Sequence, residues 1–136
     1  MRQSLLTIVA AAILASAVPA LAHHASQAEF DKNSPKTISG VLQRVQWTNP
    51  HVRWYIDIKN EKTGEVETWM LQGSGPGAYK ANGISAAGVF PIGKTYTVMI
   101  APARDGSNGG YVMTWTLPDG TKMDFWHDYG DGSGDK

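Results

Sequence analysis

Residues 47–55, Trp47-Thr48-Asn49-Pro50-His51-Val52-Arg53-Trp54-Tyr55, decide how the rest of the chain is read. Pro50 removes a backbone donor and pushes Asn49 away from helical dihedrals, so a helix cannot run through this stretch. Beyond Pro50 the pattern alternates. Val52, Trp54, Ile56 and Ile58 fall on one face of an extended segment and His51, Arg53, Tyr55 and Asp57 on the other, which reads as a half-buried strand over 51–59 with the second face wetter. Before the corner, Thr37 to Trp47 is rich in β-branched residues, with Val41, Val45 and Trp47 at even spacing to share a face and Gly40 read as a bulge position. Asn49-Pro50 is therefore a corner between two strands.

Moving outward, Lys62-Thr63-Gly64 has the glycine expected of a hairpin turn, and Glu65 to Gln72 returns as a third strand with Trp69 and Leu71 inward. The β rhythm then breaks. Gly73, Gly75, Pro76 and Gly77 form a loop, Ala78 to Asn82 supports a turn or two of helix before Gly83 stops it, and Ser85 to Val89 is read as a further turn. Lys94 to Ala101 is a fourth strand with Tyr96, Val98 and Ile100 inward, and Arg104 to Gly110 a flexible loop. Tyr111 to Leu117 and Thr121 to Trp126 are paired strands across Pro118-Asp119-Gly120. Short strands with one helical interruption between the third and fourth predict an all-β fold with minor α content: a small antiparallel OB-like barrel of five to six strands, with a β-sandwich as the other candidate. The barrel is expected over 37–127, preceded by an arm over 23–36 and followed by a disordered tail over 128–136 rich in Gly and Asp.

The beginning of the chain carries a different signal. Arg2, an apolar run from Leu5 to Val18 too short for a comfortable bilayer span, and Ala20-Leu21-Ala22 have the order of a secretory leader, so residues 1–22 are read as a signal peptide cleaved after Ala22; Ala15-Ser16-Ala17 is a competing site. A periplasmic location is the consequence, with no membrane insertion after cleavage. Losing Arg2 leaves 11 basic against 12 acidic residues and a net charge of −1, which supplies no electrostatic reason for nucleic acid as partner. With no cysteine the chain has neither disulfides nor thiolate ligands, and stability must come from a packed core.

Four blocks also carry a resemblance: His23-His24, Ala28-Glu29-Phe30-Asp31, Trp47-Thr48-Asn49-Pro50-His51-Val52 and Leu117-Pro118-Asp119-Gly120. With these the chain resembles a family of small exported bacterial proteins described only as a domain of unknown function, over nearly the whole mature length. The Trp-Thr-Asn-Pro-His block is its specific part. At the start, Ala25-Ser26-Gln27 stands where the family pattern has Ser-Phe-Ala, so an aromatic beside the histidine pair is missing. The resemblance implies export and boundaries and no ligand.

Cleavage after Ala22 would give His23 a free α-amine beside its own imidazole, a chelating pair that a third nitrogen could complete for Cu(II). His51 is the foremost third ligand, with His24 and His127 behind it. The competing reading makes the histidine pair a solvated arm and His51 a turn cap. Asn49, Pro50, Arg53 and Tyr55 surround His51 and are the candidates for contact with an unknown periplasmic protein or small ligand if no metal binds. Trp54 and Trp69 keep aliphatic company and read as core, Tyr55 and Trp126 as exposed. No enzyme frame is present: Ser74 lacks the Gly-x-Ser-x-Gly context and no acid–base pair stands out, so a non-catalytic binding protein is expected, with copper its one candidate cofactor. Met70, Met99, Met113 and Met123 read as core filler.

Overall fold

The computed structural model describes residues 28–85 and 89–125. The leader, His23, His24, most of the turn expected from Ser85 to Val89, Trp126, His127 and the tail lie outside them. Six strands run in chain order: β1 (Lys36–Gln46), β2 (Arg53–Lys59), β3 (Val66–Gln72), β4 (Thr95–Pro102), β5 (Gly109–Thr116) and β6 (Lys122–Asp124). A short helix, α1 (Pro76–Ala81), lies between β3 and β4, with proline in its first turn and Gly83 just beyond it at φ 74°. None of the described helices is long and apolar enough to cross a membrane.

The strand order β3-β2-β1-β4-β5 closes on itself because β3 also pairs with β5, leaving β6 outside the ring against β5 alone. This is the OB-like barrel expected. One of its seams is parallel, Met70 to Gln72 lying beside Gly109 to Tyr111, so the barrel is mixed and not wholly antiparallel. The reason is parity. Five strands that alternate in direction around a ring bring the first and last together pointing the same way, so an odd ring must contain a parallel seam. Gly109 and Gly110, expected in a loop, belong to β5 through this seam.

The first strand serves both halves of the barrel. Lys36 to Val41 pairs with β4 and Val41 to Gln46 with β2, with a register shift between Leu42 and Arg44 where the strand changes partner. The bulge thus sits near Gln43 and not at Gly40. Gly40 has a different job: a Cβ there would press into the Asp57 carbonyl and the Ile56 side chain, so the absence of a side chain is what lets β1 lie this close to β2. The bulge also resets the alternation. Ile38 and Leu42 face inward before it, Val45 and Trp47 after it, and Val41, expected to share a face with Val45 and Trp47, stays out of the core.

Inside the ring, Leu42, Val52, Trp54, Ile56, Leu71, Val98, Ile100, Val112 and Trp115 are completely buried. Trp54 is the hub, its ring 5.4 Å from Trp115, 5.6 Å from Phe90 and 5.6 Å from Tyr79 of α1. These tilted and edge-on contacts are the geometries that aromatic quadrupoles favour. The helix therefore acts as a plug: Tyr79 reaches from α1 into the barrel and also packs on Trp47 and Phe125.

A second, smaller cluster lies on the outside of the wall. Phe30, Ala101, Tyr111 and Met113 bury one another there, with Met99 alongside. The segment before β1 is stitched over it: Phe30 bridges Ala103, the Asp31 amide donates to the Pro102 carbonyl (2.8 Å), the Arg104 amide donates to the Glu29 carbonyl (2.9 Å), and Arg104 pairs with the Asp31 carboxylate at 3.5 Å.

Candidate functional site

The corner between β1 and β2 is exposed at Thr48, Asn49 and Pro50 and becomes half-buried at His51. The Asn49–Pro50 peptide is cis. Beyond the corner the chain is pinned to the segment that leaves β3. The Val52 amide donates to the Ser74 carbonyl (3.0 Å) and the Gly73 amide to the Val52 carbonyl (2.9 Å), extending the β2–β3 ladder past its last regular pair. His51 adds a side-chain bond, its Nδ1 lying 2.9 Å from the Gly73 carbonyl oxygen. A carbonyl can only accept, so Nδ1 carries the proton in this contact. In the neutral ring Nε2 is then the nitrogen with a free lone pair, and among the described residues it has no partner and remains open to solvent.

Gly73 is the hinge of this arrangement. A Cβ on it would run into the Tyr79 hydroxyl and the Trp54 ring, so glycine alone lets the backbone pass over the core aromatics and offer its carbonyl to His51. The next residue, Ser74, stands in the middle of a small polar chain: its amide donates to the Tyr79 hydroxyl (3.1 Å), and its Oγ shares a hydrogen bond with the Tyr111 hydroxyl (2.9 Å). Tyr111 in turn packs against Phe30 with ring centroids 5.8 Å apart. A continuous path of contacts thus runs from the pre-β1 segment, through Tyr111 and Ser74, to the carbonyl that orients His51.

The outward face of β2 completes the neighbourhood. Arg53 lies between Gln46 of β1 and Gln72 of β3, and Gln72 beside Tyr111 of β5, making one row across four strands. In the next row Tyr55 lies between Arg44 and Met70. The Arg44 guanidinium stands 3.8 Å over the Tyr55 ring, a cation–π contact, and the Tyr55 hydroxyl donates to Gln46 Oε1 at 3.3 Å.

Of the residues singled out from sequence, His51, Arg53 and Tyr55 therefore share one outer face, with Asn49 and Pro50 at its rim. Histidines 23, 24 and 127 fall outside the described residues. Among the described residues no group of three or more His, Cys, Asp or Glu side chains could hold a metal ion, so His51 is a single potential ligand there. His51 does cap a backbone group through a ring nitrogen, the simpler role considered for it, but the carbonyl belongs to Gly73, 22 residues away in sequence, and not to the adjacent turn. Gly73, Ser74, Tyr79, Gln72 and Tyr111 escape a reading from sequence as site residues. The glycine pair around Ser74, directly after a strand, is the available signal of close backbone approach.

Comparison with known families finds a match to a family of unknown function (DUF6152), whose model aligns with residues 11–112. The chain belongs to this family. The aligned span takes in the corner, strands β1 to β4 and the opening of β5 to Val112, and ends before β6. Membership brings no activity with it. Neither the comparison with curated proteins nor that with solved structures found a match.

Proposed function

We propose that this barrel is a non-catalytic periplasmic metal-binding protein in which His51 joins the N-terminal histidine arm around one Cu(II) ion. The observation that carries the reading is the bond from His51 Nδ1 to the Gly73 carbonyl. Histidines that ligate metals commonly have one ring nitrogen held by a backbone carbonyl in this way, which fixes the tautomer and ring orientation and raises the basicity of the other nitrogen. His51 Nε2 has this preparation and no partner among the described residues.

Reach supports the reading as well. The pre-β1 segment is anchored at Phe30, one ring contact and one hydroxyl hydrogen bond from Ser74, the neighbour of the carbonyl that holds His51. His23 lies seven residues upstream of Phe30, and seven residues extend to about 23–25 Å. An arm of that length, starting from Phe30, is long enough to come back to the corner. After cleavage at Ala22, the His23 amine and imidazole with His51 Nε2 would supply three nitrogens, a donor set that favours Cu(II), and His24 stands next in line. Binding requires these groups deprotonated, so affinity falls in acid.

The test is Cu(II) titration of the chain beginning at His23, monitored by calorimetry and by electron paramagnetic resonance. Submicromolar binding with three-nitrogen hyperfine structure is expected, at least tenfold weaker in His51→Ala. A second chain carrying one extra alanine ahead of His23 keeps the barrel and His51 intact and should lose the amine-dependent affinity. Micromolar binding indifferent to both changes would remove the proposal.

A further inference from the structure

We infer that the Tyr79 hydroxyl, inside the barrel, is a positioning group for His51 and acts on it through the one peptide group that joins Gly73 to Ser74. The inference deepens the copper reading and rests on it for the effect on affinity, while its geometry and its first test need no metal. The Gly73 carbonyl and the Ser74 amide are two ends of the same planar, resonance-stabilised unit. At one end His51 Nδ1 donates to the carbonyl oxygen at 2.9 Å; at the other the Ser74 N–H donates to the Tyr79 hydroxyl oxygen at 3.1 Å. Accepting at oxygen and donating from nitrogen both draw the peptide toward its charge-separated form, so each bond strengthens the other. The Tyr79 hydroxyl thereby makes the Gly73 carbonyl a better acceptor for His51.

The surroundings hold this relay in place. Tyr79 is 1% exposed, and its ring packs on Trp47, Trp54 and Phe125 with centroids 5.5, 5.6 and 4.9 Å away, so the hydroxyl stands at a fixed point. Glycine at 73 permits its approach, since a Cβ there would collide with the hydroxyl. The peptide is tied to Val52 on both flanks, the Gly73 amide donating to the Val52 carbonyl (2.9 Å) and the Ser74 carbonyl accepting from the Val52 amide (3.0 Å). The Ser74 Oγ is engaged separately by the Tyr111 hydroxyl at 2.9 Å. With its plane fixed at three points, the peptide sets the direction from which the imidazole must meet it.

A neutral imidazole exchanges its proton between two nitrogens, and a fixed acceptor on one side decides which tautomer prevails. Here the acceptor favours the proton on Nδ1 and leaves the Nε2 lone pair for a ligand. The relay runs in both directions. A cation on Nε2 withdraws density from the ring, makes Nδ1–H a stronger donor and tightens the bond from Ser74 to Tyr79 in turn. Partners that hold a ligating histidine directly are worth about 10–100-fold in metal affinity. Tyr79 stands one bond further out, and cooperativity changes a hydrogen bond by about 10–30%, so its hydroxyl should be worth about two- to threefold.

The test is NMR of the full, 15N-labelled chain with a chelator present, at a pH of about 9, where histidine is ordinarily neutral. Tyr79→Phe keeps the ring and its aromatic contacts and removes only the hydroxyl. The Nε2–H tautomer of His51 should rise about two- to threefold, and its two ring-nitrogen signals should draw together. Tyr96→Phe is the matched comparison: it removes another hydroxyl from the same interior, one that donates to the Pro91 carbonyl at 3.0 Å, and should leave the His51 signals where they are. His51→Ala probes the relay from the other end and leaves the interior intact, so it serves even if Tyr79→Phe does not fold; the Ser74 amide proton should move upfield as its bond to Tyr79 weakens. An unchanged His51 tautomer in Tyr79→Phe, an equal response in Tyr96→Phe, or an unmoved Ser74 amide in His51→Ala would each overturn the inference. Cu(II) titration then separates the two readings: affinity should fall about two- to threefold in Tyr79→Phe, whereas a wild-type chain that binds no copper removes the copper reading and leaves the tautomer result standing.

Discussion

The two sides of β2 make opposite uses of the same seven residues. Inward, Trp54 and Ile56 are fully buried in an aromatic and aliphatic interior where the indole N–H groups of Trp54 and Trp115 have no hydrogen-bond partner among the described residues. Outward, Arg53, Tyr55 and Asp57 are half-buried, and two of the three hydrogen-bond or stack with a neighbouring strand. The interior tolerates unpaired indole N–H groups because shape and dispersion dominate its energetics and each costs only a modest part of what the ring gains by burial. The outer face holds its charged groups where water and ligands can reach them. The contrast separates what stabilises the barrel from what can bind.

Trp54→Ala breaks the comparison most strongly. The ring is the hub of three aromatic contacts, and truncation should cost about 3–5 kcal/mol through lost burial and a residual cavity, enough to leave the domain marginal in denaturant melts. A loss below about 1 kcal/mol would mean that the aromatic interior is loosely packed.

Gly73→Ala joins the two sides, because its methyl group would push on Trp54 and Tyr79 inside while moving the carbonyl that holds His51 outside. Overpacking of this kind costs about 1–3 kcal/mol. The His51 ring resonances should shift alongside the melting temperature; a stable variant with unchanged His51 signals would show that the corner is held by the Val52 ladder bonds alone.

The smallest effect lies far from both faces, in the β5–β6 turn. The Thr121 amide donates to the Asp119 carboxylate at 2.8 Å, and with the Thr121 side chain it holds the Asp119 carboxyl below the usual carboxylate range. A lowered folded pKa means the contribution is present above the ordinary carboxylate range and disappears as pH falls through the lowered value. Exchange of the Leu117 amide, which donates to the Thr121 carbonyl across the turn, should therefore quicken in acid after correction for its intrinsic pH dependence, and this acid response should vanish in Asp119→Asn. Asp119 is fully exposed, so overall stability should barely change.

Much of the barrel was legible because its signals are local. Alternation after Asn49-Pro50 placed Val52, Trp54 and Ile56 inward, and they are fully buried; the turn glycines marked the strand ends to within a residue or two. The same rule misplaced Val41, since a bulge two residues on inverts the parity and nothing in a period-two pattern announces it. Gly40 was visible as an anomaly, but whether a glycine means a bulge or a close crossing depends on what lies opposite, here Ile56 and Asp57.

The candidate site divides in the same way. Sequence by itself determined that His51, Arg53 and Tyr55 share the wetter face of one strand beside a proline corner, because the pleat of a strand forces every second residue to one side. Only the tertiary structure decided that His51 gives its Nδ1 proton to Gly73, that Gln72 lies between Arg53 and Tyr111, and that Phe30 packs on Tyr111 to anchor the arm. Each of those facts joins residues far apart in the chain, and such pairings exist only once β3 meets β5 and the barrel closes.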